Sequence, residues 1–173
     1  MRIGKAGLAR TWFRAGYGRR AELIRAQPMI PERMRPSLVD LDVPFLPVGQ
    51  MRQIARVTEL DGATIAGEVD LGPNHWVYAQ HLPGDPVFPG SLIVEAAGQL
   101  VTLWAWAAGE RGRPRLLRAN AEFRLPVGCA EPRLVLRGDV TRRRNMHFAT
   151  LAVEASGVQV ASASVVLAVI PAA

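Results

Sequence analysis

Apolar and polar residues alternate along three stretches of the chain, and one further stretch is apolar almost throughout. From Leu117 to Leu125, Leu117, Ala119, Ala121, Phe123 and Leu125 take turns with Arg118, Asn120, Glu122 and Arg124. A period of two predicts a strand with one face toward a core. Leu134 to Val140 and Met146 to Glu154 repeat the pattern across a turn at Thr141 to Asn145, and Val158 to Ile170 is a last long strand after Ser156-Gly157. Upstream, Gln53 to Leu60 and Ala63 to Val69 flank Asp61-Gly62, a dipeptide suited to hairpin turns. Asn74 to Gly90 reads as a long loop, and Gly109 to Pro114 as a turn.

Ser91 to Ala108 contains no proline and almost no charge, which predicts a helix. Its apolar residues cover nearly the whole circumference, so the helix is expected to be buried. Its polar residues are Ser91, Glu95, Gln99 and Thr102, at steps of four, four and three along one line of the helix. A buried helix with a single polar seam carries a carboxyl group into an interior, where it needs a partner. Glu95 and Gln99 inside the run, and the strands after it, argue against a membrane span. The expected order is a hairpin, a helix and then antiparallel strands. With one long apolar helix and one sheet to cover it, the sheet must wrap the helix, giving an α+β fold.

The length of 173 residues suits one domain. Cys129 is the only cysteine, so no intrachain disulfide can form and a cytoplasmic location is expected. The basic N-terminus is not followed by the apolar region of a secretory signal, although an Arg-rich, acid-poor start also has the composition of an organellar transit peptide. Charge is uneven. Residues 1–40 hold nine basic and three acidic residues, while residues 41–173 hold twelve of each, so the whole net charge of +6 lies in the first segment. That segment reads as a basic extension, with apolar anchors such as Trp12 and Phe13 and a short helix over Arg20 to Ala26. It could dock an acidic partner or lie across a neighbouring subunit. No nucleic-acid-binding module accompanies the charge.

The candidate chemistry lies at the start of the buried helix. His81 is separated from Glu95 by a loop stiffened by Pro83, Pro86 and Pro89, with Gly84 and Gly90 as its permissive points. A base, an acid and a rigid connection suit proton transfer. His75 reads as a packing residue of the loop and His147 as a structural residue of a strand. His75, His81 and Glu95 lack the spacing of a zinc site, and no metal or cofactor is expected. Trp104 and Trp106 read as core residues. Arg142, Arg143 and Arg144 read as a solvated turn that could also attract an acidic carrier protein.

The run from His81 to Gly90, followed by Glu95 and Gln99, resembles the bacterial 3-hydroxyacyl-(acyl carrier protein) dehydratases. Their loop reads roughly His-Phe-Pro-Gly-x-Pro-Val-Met-Pro-Gly and leads into a helix with an acid and, four residues on, a glutamine. Asn74-His75-Trp76, Pro44-Phe45-Leu46-Pro47-Val48 and Ala121 to Val127 are similar to further family segments, so the likeness spans about residues 41–170. Leu82 for Phe, Phe88 for Met, and Gly128-Cys129-Ala130 for Pro-Gly-Asp depart from the pattern. Glu95 sides with the branch that only dehydrates, whereas Asp85 and Trp76 are similar to the branch that also isomerises.

The resemblance implies a hotdog fold over residues 41–173, an antiparallel sheet wrapped around a long central helix and dimerising through adjacent sheets. It implies removal of water from a 3-hydroxyacyl thioester held on an acyl carrier protein, in fatty-acid or polyketide-type synthesis. His81 would take the α-proton and Glu95 would protonate the departing hydroxyl, with Gln99 orienting Glu95. The Gly90 N–H would polarise the thioester carbonyl, and Leu82, Phe88 and Pro89 would line the acyl tunnel. In this family the histidine and the acid of one site come from different subunits, so a homodimer, or a heterodimer with a related hotdog subunit, is implied. A hotdog acyl thioesterase and a subunit of a heteromeric dehydratase are the alternatives. No nucleic acid and no membrane are implied as partners.

Overall fold

The computed structural model describes residues 43–82 and 84–171. Six strands form one antiparallel sheet: β1 (Arg56–Asp61), β2 (Thr64–Asp70), β3 (Arg113–Phe123), β4 (Arg133–Arg143), β5 (Met146–Ala155) and β6 (Val158–Ile170), in the order β1-β2-β4-β5-β6-β3. Two helices lie between β2 and β3: a short α1 (Trp76–Gln80) and an 18-residue α2 (Gly90–Ala107). The basic extension, its expected helix over Arg20 to Ala26 and the expected boundary at residue 40 lie outside the described residues.

The core is the contact between α2 and one face of the sheet, reached from β2, β3, β5 and β6. Ala96, Ala97, Leu100, Val101, Leu103 and Trp104 of α2 are buried, as are Leu136 and Val140 of β4, Leu151 and Val153 of β5, and Ala163 and Val165 of β6. Those strand residues follow the period of two that the sequence predicted. Gly67 shows how close the layers come: a β-carbon there would lie 2.7 Å from Leu100 Cδ1. Trp104 meets its need for a polar partner by donating from Nε1 to Gly62 O at 3.0 Å, which ties the helix to the β1–β2 turn. Among the described residues no helix is long and apolar enough to cross a membrane.

The structure corrects three expectations. The stretch Asn74 to Gly90 is not all loop, because it contains α1, capped by His75 Nδ1, which accepts from Val77 N. β3 starts at Arg113, inside the expected turn, and a bulge between Leu116 and Arg118 takes Leu117 out of the alternation. Apart from Pro114 the whole of β3 is exposed in the single chain, where it pairs with β6 alone. Nor is Arg142 a solvated turn residue. β4 runs on to Arg143, and Arg142 is half-buried and paired with Glu110. Only Arg144 and Asn145 form the turn, Arg144 with φ 56°.

Candidate active site

α2 begins where the proline-rich loop is fastened down. Phe88 N donates to Val127 O at 2.7 Å, Val87 forms a bridge with Gly128, and the Tyr78 hydroxyl donates to Gly128 O at 3.2 Å. Pro89 then caps the helix without a side-chain hydrogen bond, although its carbonyl accepts from Leu92 N at 3.0 Å. The first turn of α2 holds no acidic residue. Its leading N–H groups have no partner within the helix, and the helix dipole adds positive potential at that end. An oxygen that gains negative charge in a reaction is favoured there.

Glu95 lies in the second turn of α2 and is half-buried. Gln99 holds it, donating from Nε2 to Glu95 Oε1 at 2.8 Å. The same amide donates to Met51 O at 2.7 Å and accepts at Oε1 from Gln53 N at 2.8 Å and Ile54 N at 3.2 Å. A glutamine side chain offers two N–H donors and two carbonyl lone pairs, and here all four are used. Gln99 is 3% exposed, so these bonds face little competition from water. The polar seam predicted from the sequence therefore does enter the interior at Gln99, whereas Ser91 is exposed.

His81 ends α1, with its N–H donating to Val77 O at 2.8 Å, and its side chain is exposed. No hydrogen bond, ion pair or ring contact joins it to Glu95 among the described residues of the single chain. His75 lies deeper. Its ring packs edge-on against Phe88 at 5.6 Å between centroids, and burial pushes its pKa down. It serves as a cap and packing residue.

Beside Gly90 lies a cleft of about 400 Å³, lined by Val87, Phe88, Gly90, Ile93 and the segment Phe123 to Val127. Of the expected tunnel residues, Phe88 lines this cleft, Pro89 is buried and does not line it, and Leu82 is 44% exposed in the loop. Phe123 and Leu125 were visible in the sequence as strand residues, and Phe123 to Val127 as part of a segment similar to the family, but not as residues of a cleft. Nothing local signals that the strand's end returns to the helix N-terminus. Arg142 is engaged with Glu110 near the C-terminal end of α2, while Arg143 and Arg144 are exposed. Among the described residues no group of three or more His, Cys, Asp or Glu side chains could hold a metal ion.

An antiparallel sheet packed around one long helix, with a cleft at the helix N-terminus, defines the hotdog class of proteins. Within it, the chain belongs to the FabA-like domain family, whose domain is matched over residues 46–164. Solved structures share the fold. The dehydratase heterocomplex ApeI:P from Xenorhabdus doucetiae matches with a TM-score of 0.60 and 14% identity, covering 72% of this chain and 86% of that one. A mutant thioesterase from Pseudomonas aeruginosa matches with a TM-score of 0.56 and 16% identity, over 68% of this chain and 81% of that one. A Streptococcus mutans protein bound to acetyl CoA matches with a TM-score of 0.57 and 11% identity, over 75% and 97%. At these identities the likeness is one of fold.

Proposed function

We propose that the protein is a dehydratase that converts a 3-hydroxyacyl thioester, carried on an acyl carrier protein, to the 2-enoyl thioester. The observation that carries this reading is the Glu95 carboxyl, in the second turn of the helix and held by Gln99, with the helix N-terminus free of any side-chain cap and beside a mostly apolar cleft. The thioester oxygen accepts from the Gly90 N–H, where enolate charge develops as the α-proton leaves. His81 takes that proton. Glu95 gives a proton to the C3 hydroxyl, which departs as water while the double bond forms between C2 and C3. His81 ends protonated and Glu95 ionised, and a proton passing from one to the other resets the site.

His81 is exposed and makes no contact with Glu95 within one chain, which supports a site shared between two chains. The free edge of β3 is a surface through which two sheets can join, and its exposed Leu116, Leu117 and Phe123 are what such a junction would cover. The partner is a second copy or a related hotdog chain. Arg143 and Arg144, with the basic residues of 1–40, are the proposed contacts of the acidic carrier. The test is product analysis with a 3-hydroxyacyl thioester. An enoyl thioester supports the proposal, a free acid replaces it with a thioesterase, and no product from the chain alone but an enoyl product with a hotdog partner makes it one half of a heteromeric enzyme.

A further inference from the structure

We infer that the free edge of β3 is built to join an acidic edge strand of a different chain rather than a second copy of this one. The inference rests on the reading of that edge as the junction of a shared site, and it names the chemistry of the partner. β3 has two unlike faces. Leu116, Ala119 and Phe123 lie opposite Leu167, Val165 and Ala161 of β6, residues buried in the core. Arg113, Arg115 and Arg118 lie opposite Ile170, Ala168 and Val166, on the face turned away from α2. Joining two sheets edge to edge leaves that outer face in solvent, so the arginines act along the seam itself.

Their charge has no answer within the chain. Arg56, Arg133, Arg137 and Arg142 each meet a carboxylate. Among the described residues Arg113, Arg115 and Arg118 form no ion pair, and Arg115 donates only to the Pro114 carbonyl. β6 offers aliphatic side chains opposite all three, so along the sheet a counter-charge can reach them only across the free edge. A second copy does not supply it. It brings the same arginines, and the only carboxylate on β3, Glu122, is already paired with Arg124. Like charges facing each other across an antiparallel pair destabilise it, whereas opposite charges stabilise it. Cationic side chains on an edge also keep a strand from pairing with its own kind. A partner strand with acidic residues on its outer face and apolar ones on its inner face answers both sides of β3. It neutralises the arginines and covers Leu116 and Phe123, which are 49% and 53% exposed.

A charge-reversed copy can stand in for such a partner. The natural chain, the variant Arg113→Glu/Arg115→Glu/Arg118→Glu and an equimolar mixture of the two are compared by sedimentation and native mass spectrometry at low and high salt. At low salt the mixed pair should form about tenfold or more tightly than either chain pairs with itself, and salt at about 0.5 M should erase most of the difference. The variant Arg143→Glu/Arg144→Glu moves the net charge in the same direction away from the edge, and it should not pair with the natural chain. Should the triple variant fail to fold, Arg113→Gln/Arg115→Gln/Arg118→Gln removes the repulsion alone and should raise self-association. Natural chains that pair with themselves as tightly as with the reversed copy would overturn the inference. So would a mixture that does not pair, equal pairing by Arg143→Glu/Arg144→Glu, or unchanged self-association of the folded Gln variant. Association is measured without substrate, so a mixed pair that forms no enoyl thioester would overturn the dehydratase reading alone.

Discussion

In the N-terminal half of α2, Gln99 uses every donor and acceptor it has, binding Glu95 on its own helix and the backbone of Met51, Gln53 and Ile54 on the segment before β1. Near the C-terminal end, His147 of β5 is 0% exposed and, among the described residues, neither ring nitrogen makes a hydrogen bond of good geometry, although the Leu167 backbone lies close enough to favour its protonated form. Its neighbours are the Trp104 ring at 5.6 Å, the Glu110–Arg142 pair and the backbone of Leu167. Both are buried polar side chains at the same helix–sheet junction. One is fully satisfied and holds the half-buried Glu95 carboxyl. The other is packed as an aromatic ring. Burial alone therefore does not mark a functional polar group; its hydrogen bonds and access to solvent do.

The largest expected effect breaks the comparison at its reactive end. His81→Ala and Glu95→Gln should each lower enoyl formation by about a hundredfold to ten-thousandfold, since each removes a proton-transfer group. Thermal denaturation should show both variants folded. If the site is shared between chains, mixing the two variants should restore part of the activity, and near-normal turnover in either alone would remove the assignment.

Gln99→Leu makes the N-terminal end resemble the other one. It leaves the N–H groups of Gln53 and Ile54 and the carbonyl of Met51 without their side-chain partner. The Gln53 and Ile54 N–H groups are buried and each costs about 1–3 kcal/mol when orphaned, so denaturant unfolding should register a loss of at least about 2 kcal/mol, while water can replace the partner of the exposed Met51. Turnover should also fall at temperatures where the variant is still folded, because Glu95 loses its anchor.

His147→Leu sharpens the comparison. Burial is the main influence on the His147 ring and pushes its pKa down; Glu110 and the Leu167 backbone pull it back up, and Arg142 pushes it down again. A histidine kept neutral in the fold binds fewer protons than in the unfolded chain. Its contribution is therefore fully present above the unfolded value near 6.5 and is lost as the pH falls below it. The slope is at most about 1.4 kcal/mol per pH unit for one proton. Urea unfolding across the acid range should show a shallower decline in His147→Leu. Some decline should remain, because burial lowers the His75 pKa in the same direction. An unchanged slope would mean that His147 does not titrate with folding.

The smallest expected effect is on stability in Gly90→Ala. The added methyl group meets only the far end of the half-exposed Phe123 ring, which can swing outward, and alanine suits a helix better than glycine. Melting should shift by no more than corresponds to about 1 kcal/mol. A large loss would mean that the ring is fixed in place.

Much of this architecture could be read in the residues because it rests on local periodicity. Leu134 to Val140 and Met146 to Glu154 alternate so regularly that only a strand can bury one side and expose the other, and α2 lies within one residue of where its proline-free apolar run placed it. Asp61-Gly62 marked the first hairpin because a turn residue with positive φ, 52° at Gly62, suits glycine. β3 was harder. Its alternation was plain, but the bulge at Leu117 is set by its pairing with β6, and the exposure of both faces by what the rest of the chain leaves uncovered. α1 was missed because five residues between a histidine cap and a proline-rich loop are too short to show a helical period.

The sequence by itself determined the strands, the long helix, the spacing of His81 from Glu95, and the placement of Gln99 one turn beyond the acid. These follow from backbone periods of two and 3.6 and from the restraint that proline and glycine impose on a loop. Tertiary structure alone decided that Gln99 would bind Met51, Gln53 and Ile54, that Phe123 would cover Gly90, and that Arg142 would turn inward to Glu110. These pairs lie 32 to 48 residues apart in the chain. Such contacts form only when sheet order and register bring distant segments together, and no local pattern records them.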